Sequence, residues 1–196
     1  DIDFAMMPRL RMVQRGLRRL ARGPCRKLAI SVNMLKDIVE NGGLNLDKWD
    51  DLLTLTATLT GFFFLLRSCE YLRTEQGTDP DKCIRIEHLT FKRNGAAIRG
   101  DSLLMATQMC MFLPFSKTDV VGNGVTLTLD IDEGNPLCVV TMFNRLRKMN
   151  PARFSVRNGA ERVFRTKTGL VLHKHHVQRL LKDAARRAGF KPEDFT

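Results

Sequence analysis

Apolar residues follow two rhythms along this chain, and the rhythm changes near the middle. Between Asp47 and Tyr71, Leu52, Leu55, Leu59, Phe62, Phe63 and Leu66 recur at helical steps, which predicts one helix with Asp47 able to cap it. Gly61 inside that run predicts a closely packed neighbour or a helix–helix junction. Upstream, Ser31 reads as the N-cap of a short helix, Val32 to Glu40, with Met34, Leu35, Ile38 and Val39 inward and Asn41-Gly42-Gly43 as its stop. Residues 8 to 28 are dense in arginine, with Leu10, Met12, Val13, Leu17 and Leu20 interleaved. Up to Leu20 they predict a basic amphipathic helix, which Gly23-Pro24 breaks.

After a loop at Gly77-Thr78-Asp79-Pro80 the period shortens. Cys83 to Phe91 alternates as a half-buried strand should, and Asn94-Gly95 is a hairpin signal behind Lys92 and Arg93. Gln108 to Pro114 and Val125 to Ile131 predict two more strands, with Lys117 near the tip of the hairpin between them. Helical spacing then returns. Asn135-Pro136 opens a helix running to about Met149, Val163-Phe164 forms a short apolar element, and Thr168-Gly169 turns. His173 to Ala188 predicts a basic helix with Val177, Leu180, Leu181, Ala184 and Ala188 on one face, stopped by Gly189. The pattern as a whole predicts an α+β fold, mainly helical with a small antiparallel sheet.

Charge narrows the range of partners. Among 196 residues, 32 Lys and Arg stand against 21 Asp and Glu, a net charge of +11. Such an excess favours a polyanion, most commonly nucleic acid, while a merely basic scaffold stays open. An apolar content of 43% supports a real core, yet no run of about eighteen apolar residues is present to span a membrane. The five cysteines are scattered without a CxxC pair, which predicts reduced thiols in an intracellular protein, with neither a disulfide frame nor a zinc site. The sequence shows no signal peptide. It begins without Met and stops at Phe195-Thr196, so a fragment is expected.

One stretch concentrates the chemistry. In Gly61-Phe62-Phe63-Phe64-Leu65-Leu66-Arg67-Ser68-Cys69-Glu70-Tyr71-Leu72 a long apolar run leads into an arginine, with a glutamate at i+3. A guanidinium there cannot shed its charge, and Glu70 can hold its fork from behind while the other donors face an anion. The plainer alternative is a structural ion pair. Lys117 alone reads as a solvated turn lysine. Lys92 and Arg93 suit either a solvated turn or a backbone phosphate, and Lys174 and His175, in the HKHH start of the basic helix, suit helix-start polarity or phosphate contact. His173, His175 and His176 lack Cys or carboxylate partners at ligand spacing, so no metal is expected. Cys69 reads as an inert thiol and Tyr71 as packing.

Taken in order, GFFFLLRSCEYL, the small sheet, LPFSKTDVVGNG, NPLCVV and GLVLHKHHVQRLLKDAARRAGF resemble the catalytic domain of tyrosine recombinases, closest to the DIRS-like and Crypton-type mobile-element members. The leader RGLRRLARGPCRKLAIS resembles the linker entering that domain. The resemblance implies a basic linker over 1–28 from an amino-terminal DNA clamp, and part of a catalytic core over 29–196. It implies double-stranded DNA as partner, a homotetramer on paired sites, and a nuclear location. The implied chemistry is DNA integration and recombination by cleavage and rejoining through a 3′-phosphotyrosyl link, without ATP or metal. Arg67 would match the first catalytic arginine, Glu70 its supporting acid, and Lys117 the general acid for the leaving 5′-oxygen. The family's His-x-x-Arg motif and nucleophilic tyrosine would lie past Thr196, so this stretch alone is expected to be catalytically incompetent. A degenerate recombinase fold that only binds DNA, and a basic scaffold, are the competing readings.

Overall fold

Helix α2, Trp49–Phe63, is buried on every side between Leu52 and Thr60, so the fold is arranged around it. A helix with no solvated stripe needs its polar side chains satisfied internally. The hydroxyls of Thr54, Thr56, Thr58 and Thr60 meet that need by donating to the carbonyls of Asp50, Leu52, Thr54 and Thr56 at 2.6 to 2.8 Å. The computed structural model describes residues 12–13, 27–75, 83–114 and 123–195. The expected basic helix up to Leu20 lies outside them apart from Met12 and Val13, as do the Gly77–Pro80 loop and the hairpin tip carrying Lys117.

Among the described residues there are five α-helices and one four-stranded antiparallel sheet. Helix α1, Val32–Asn41, is capped by Ser31, whose Oγ accepts from the Met34 N–H at 3.3 Å. The cap of α2 differs from expectation. Lys48 occupies that place without a side-chain bond, while Asp50 and Asp51 supply negative charge in the first turn. Asp47 instead faces Arg145 at 3.7 Å.

The far end of α2 differs more. The predicted helix to Tyr71 stops at Phe63, and a separate turn of helix, α3, spans Ser68–Tyr71. A Schellman closure makes the break: Leu66 N–H donates to Gly61 O at 2.9 Å and Leu65 N–H to Phe62 O at 3.3 Å, with Leu65 left-handed at φ 53°. Gly61 is required where α3 folds back. A Cβ there would lie 2.2 Å from the Tyr71 hydroxyl.

The sheet has the order β2-β1-β3-β4, from β1 Leu89–Arg93, β2 Ala96–Ile98, β3 Gln108–Leu113 and β4 Val125–Asp130. Asn94 and Gly95 both take positive φ, 50° and 81°, as the two-residue hairpin turn demands. Cys83 to Phe91 is not one strand. Ile86–His88 forms a 3-10 turn, and the alternation before it reflects pairing outside the sheet, where Ile84 and Ile86 bond to Val163 and Glu161. Helix α4, Val139–Met149, packs beneath the sheet through Phe91 and Phe143. It starts later than Asn135-Pro136, at a Cys138 cap, because the Asn135 side chain closes its own turn onto the Leu137 N–H.

Helix α5, Lys174–Arg187, lies against α1 and α2. Val177, Leu180, Leu181, Ala184 and Ala185 form its buried face, whereas Ala188 is exposed at the C-cap. Gly189, at φ 79°, closes it as predicted, with the Phe190 N–H on Ala185 O at 2.9 Å. Among the described residues no helix is long and apolar enough to cross a membrane.

Candidate functional site

Arg67 stands in the gap between α2 and α3, as the residue that starts α3 rather than one inside a continuous helix. Glu70 holds it twice: Oε2 accepts the Arg67 backbone N–H at 2.7 Å, and Oε1 accepts Nη1 at 2.9 Å. The carboxylate end of this pair is sheltered and the cation is open, with side-chain exposures of 13% and 54%. The guanidinium expected at the end of a buried run is therefore presented to solvent, because the Schellman turn lifts the chain out of the core. Its Nε and Nη2 have no hydrogen-bond partner among the described residues.

Two neighbours adjoin α3. The Ser68 side of the turn lines an open, mostly apolar cavity of about 470 Å³ together with Leu66, Tyr71, Lys174, Val177 and Gln178. The chain leaving α3 bonds to the start of α5, with Arg73 N–H on Leu172 O and Lys174 N–H on Arg73 O, both at 2.9 Å. Ser68, next in the chain to Arg67, and Lys174 thus line one cavity, while Arg73 ties the chain after α3 to the start of α5, where Lys174 approaches Glu75 at 3.7 Å. Partial burial and the surrounding cations hold His173 below the ordinary imidazole range, and burial with His175 does the same to His176.

On its other side α3 leads to the sheet. Ile84 N–H donates to Glu70 O at 2.8 Å, and His88, edge-on to Phe112 with centroids 6.0 Å apart, links the entry of β1 to the end of β3. Leu113 and Val125, where β3 and β4 part, therefore lie at the end of the sheet nearest α3. Lys92 and Arg93 lie at the opposite end. Lys92 pairs with Gln108, roughly 17 Å along β3 from Leu113. The structure does not gather them with Arg67, and Lys117 falls outside the described residues.

Tyr71 is buried against Phe164 and Gly61, where it packs, and burial raises its phenol pKa. Cys69 is exposed on α3. Among the described residues no group of three or more His, Cys, Asp and Glu could hold a metal ion.

Sequence reasoning missed two arginines. Arg73 carries the backbone tie between α3 and α5, and nothing in its spacing announces a bridge to His173. Arg147 is 1% exposed, stacks 4.4 Å from the Phe91 centroid and donates to the carbonyls of Arg99, Gly100 and Ser102. Its position one residue after Leu146 and four after Phe143 on the inward face of α4 was the available signal. Compared with known proteins, the chain matches no family model and no curated protein.

Proposed function

We propose that this chain is part of a tyrosine recombinase, which breaks and rejoins duplex DNA through a 3′-phosphotyrosyl intermediate. The observation that supports this reading most is the presentation of Arg67: an open guanidinium, oriented from behind by a sheltered carboxylate, at the end of the sheet from which the β3–β4 hairpin departs. Preorganised positive charge of this kind suits the equatorial oxygens of a phosphorane. In this reading Lys117 protonates the leaving 5′-oxygen, Glu70 positions Arg67, and Lys174 and His175 meet neighbouring phosphates. Lys92 and Arg93, at the other end of β1, touch a separate stretch of duplex. A tetramer on paired sites belongs to the same proposal, and the mechanism uses neither metal nor nucleotide cofactor.

The test is cleavage of a suicide DNA substrate by a protein extended past Thr196 to include a His-x-x-Arg motif and a tyrosine. Arg67→Ala is expected to slow cleavage on the order of 100- to 1000-fold, the usual loss for a charge-stabilising donor. Cleavage at the unmutated rate would remove Arg67 from the chemistry. Binding of this chain to duplex DNA is expected to weaken steeply with added salt. A flat or absent response would leave a basic scaffold, and salt-sensitive binding without cleavage by the longer protein would leave a DNA-binding fold.

A further inference from the structure

Helix α5 begins with imidazoles where most helices have a hydroxyl or carboxylate. His173 is its N-cap, at φ −83° and ψ 141°, and its Nδ1 accepts the His175 backbone N–H at 3.3 Å. That same Nδ1 lies 2.8 Å from Nδ1 of His175. One of the two must hold the proton and the other a lone pair. Because His173 Nδ1 already accepts a backbone N–H, the lone pair is assigned to His173 and the proton to His175. The rings of His175 and His176 stack with centroids 3.9 Å apart.

The cap is also a joint. Backbone bonds to Arg73 flank His173 on both sides, from Leu172 O and from the Lys174 N–H, and so register α5 on the chain that leaves α3. Protonation of His173 would turn the cap acceptor into a donor and add charge at the positive end of a 14-residue helix. The groups facing His173 are His175, Arg73 and Lys174, with Glu75 as the opposing acid. His176 faces His175, His173 and Arg179, with Asp50 of α2 as its opposing acid. Around His173 two permanent cations, Arg73 and Lys174, face one acid, whereas at His176 Arg179 and Asp50 balance, so the surroundings of His173 resist the proton but do not trap it once it arrives.

We propose that the start of α5 is a proton-sensitive catch. With His173 neutral, the first turn is closed and Lys174 stays in register with Arg73 beside the Arg67 turn. With His173 protonated, the cap opens and that turn frays, releasing the tie between α5 and α3. The inference is independent of any role for Arg67 in DNA chemistry.

Amide hydrogen exchange read by NMR, corrected for intrinsic rates, tests it at pH 7.5 and 5.5. Protection of the His175 amide is expected to fall about fivefold at the lower pH, the usual effect of losing one N-cap. The Met34 amide, under the non-titrating Ser31 cap, should hold its protection. His173→Asn retains an acceptor that does not titrate, so protection at His175 should stay high at both pH values. His173→Ala should be poorly protected at both. Equal protection of the unmutated protein at the two pH values, or a pH-dependent loss that persists in His173→Asn, overturns the proposal.

Discussion

Leu65 holds a backbone conformation suited to a different side chain. Its φ of 53° places a γ-branched residue, 89% exposed, where glycine is usual, and its side chain gains little from burial in return. Replacing it with glycine should relieve left-handed strain, partly offset by the freer unfolded chain, for a net stabilisation of roughly 0.5 kcal/mol. A rise in the urea midpoint at unchanged m-value would register it. Gly61 behaves in the opposite way. Gly61→Ala drives a methyl into the Tyr71 hydroxyl and should destabilise by about 2 kcal/mol. Adding Tyr71→Phe should recover only part of this, since the ring carbon beneath the hydroxyl is itself 2.7 Å from that methyl. A double-mutant cycle by chemical denaturation measures the coupling, and additive losses would mean that the two residues do not touch in solution. Both residues lie in the stretch that sequence alone singled out, and Gly61 was legible there as a point of close approach. The left-handed Leu65 was not, because local preference argues against it.

At the scale of elements, the segment joining β2 to β3 is held down by α4. Arg147 donates to three of its carbonyls, while Asn144 accepts the Ala106 N–H and donates to the Ala106 carbonyl, both at 2.9 Å. This fixes the backbone under Leu103, Leu104 and Met105, whose side chains remain exposed. Arg147→Met keeps much of the volume but strips the carbonyls of their donor, and should lower stability by about 3 kcal/mol. The thermal unfolding midpoint would show this, and faster exchange at the Ala106 amide would localise it. A melting temperature within error of the unmutated protein would mean that water replaces the guanidinium without penalty. Periodicity located α4 and its inward face, Arg147's position included, but position alone does not make a cation at home in a core. Only the carbonyls brought in by the preceding loop make a buried cation tolerable here.

For the molecule as a whole, three of the four histidines have lowered pKa values: His88 and His176 chiefly through burial, and His173 through burial and neighbouring charge. A histidine whose folded pKa is depressed leaves the unfolded chain binding more protons as pH falls through about 6.5. Stability contributed by the neutral imidazoles is therefore complete above that pH, declines as pH drops through it, and levels off below the folded values. The urea midpoint should fall between pH 7.5 and 5.5, and replacing His88, His173 and His176 together by Asn should flatten that slope. A midpoint that does not move over this range would contradict the depressed values. Asp37, held down by the Arg187 hydrogen bond, acts only at lower pH, where its protonation releases a tie between α1 and α5.

Sequence alone determined what depends on neighbours along the chain. The Ser31 cap, the Asn94-Gly95 hairpin, the Gly189 stop, the small antiparallel sheet and the pairing of Arg67 with Glu70 all follow from contacts within a few residues, or from a period that the local backbone must obey. Tertiary structure decided what depends on distant chain. It ended α2 at Phe63 by bringing Tyr71 back onto Gly61, turned Arg67 from a buried charge into an open one, set Lys92 and Arg93 at the far end of the sheet, and joined α3 to α5 through Arg73. Each of these outcomes is fixed by which surfaces meet in the core, and a one-dimensional pattern of apolar and polar residues carries no record of that.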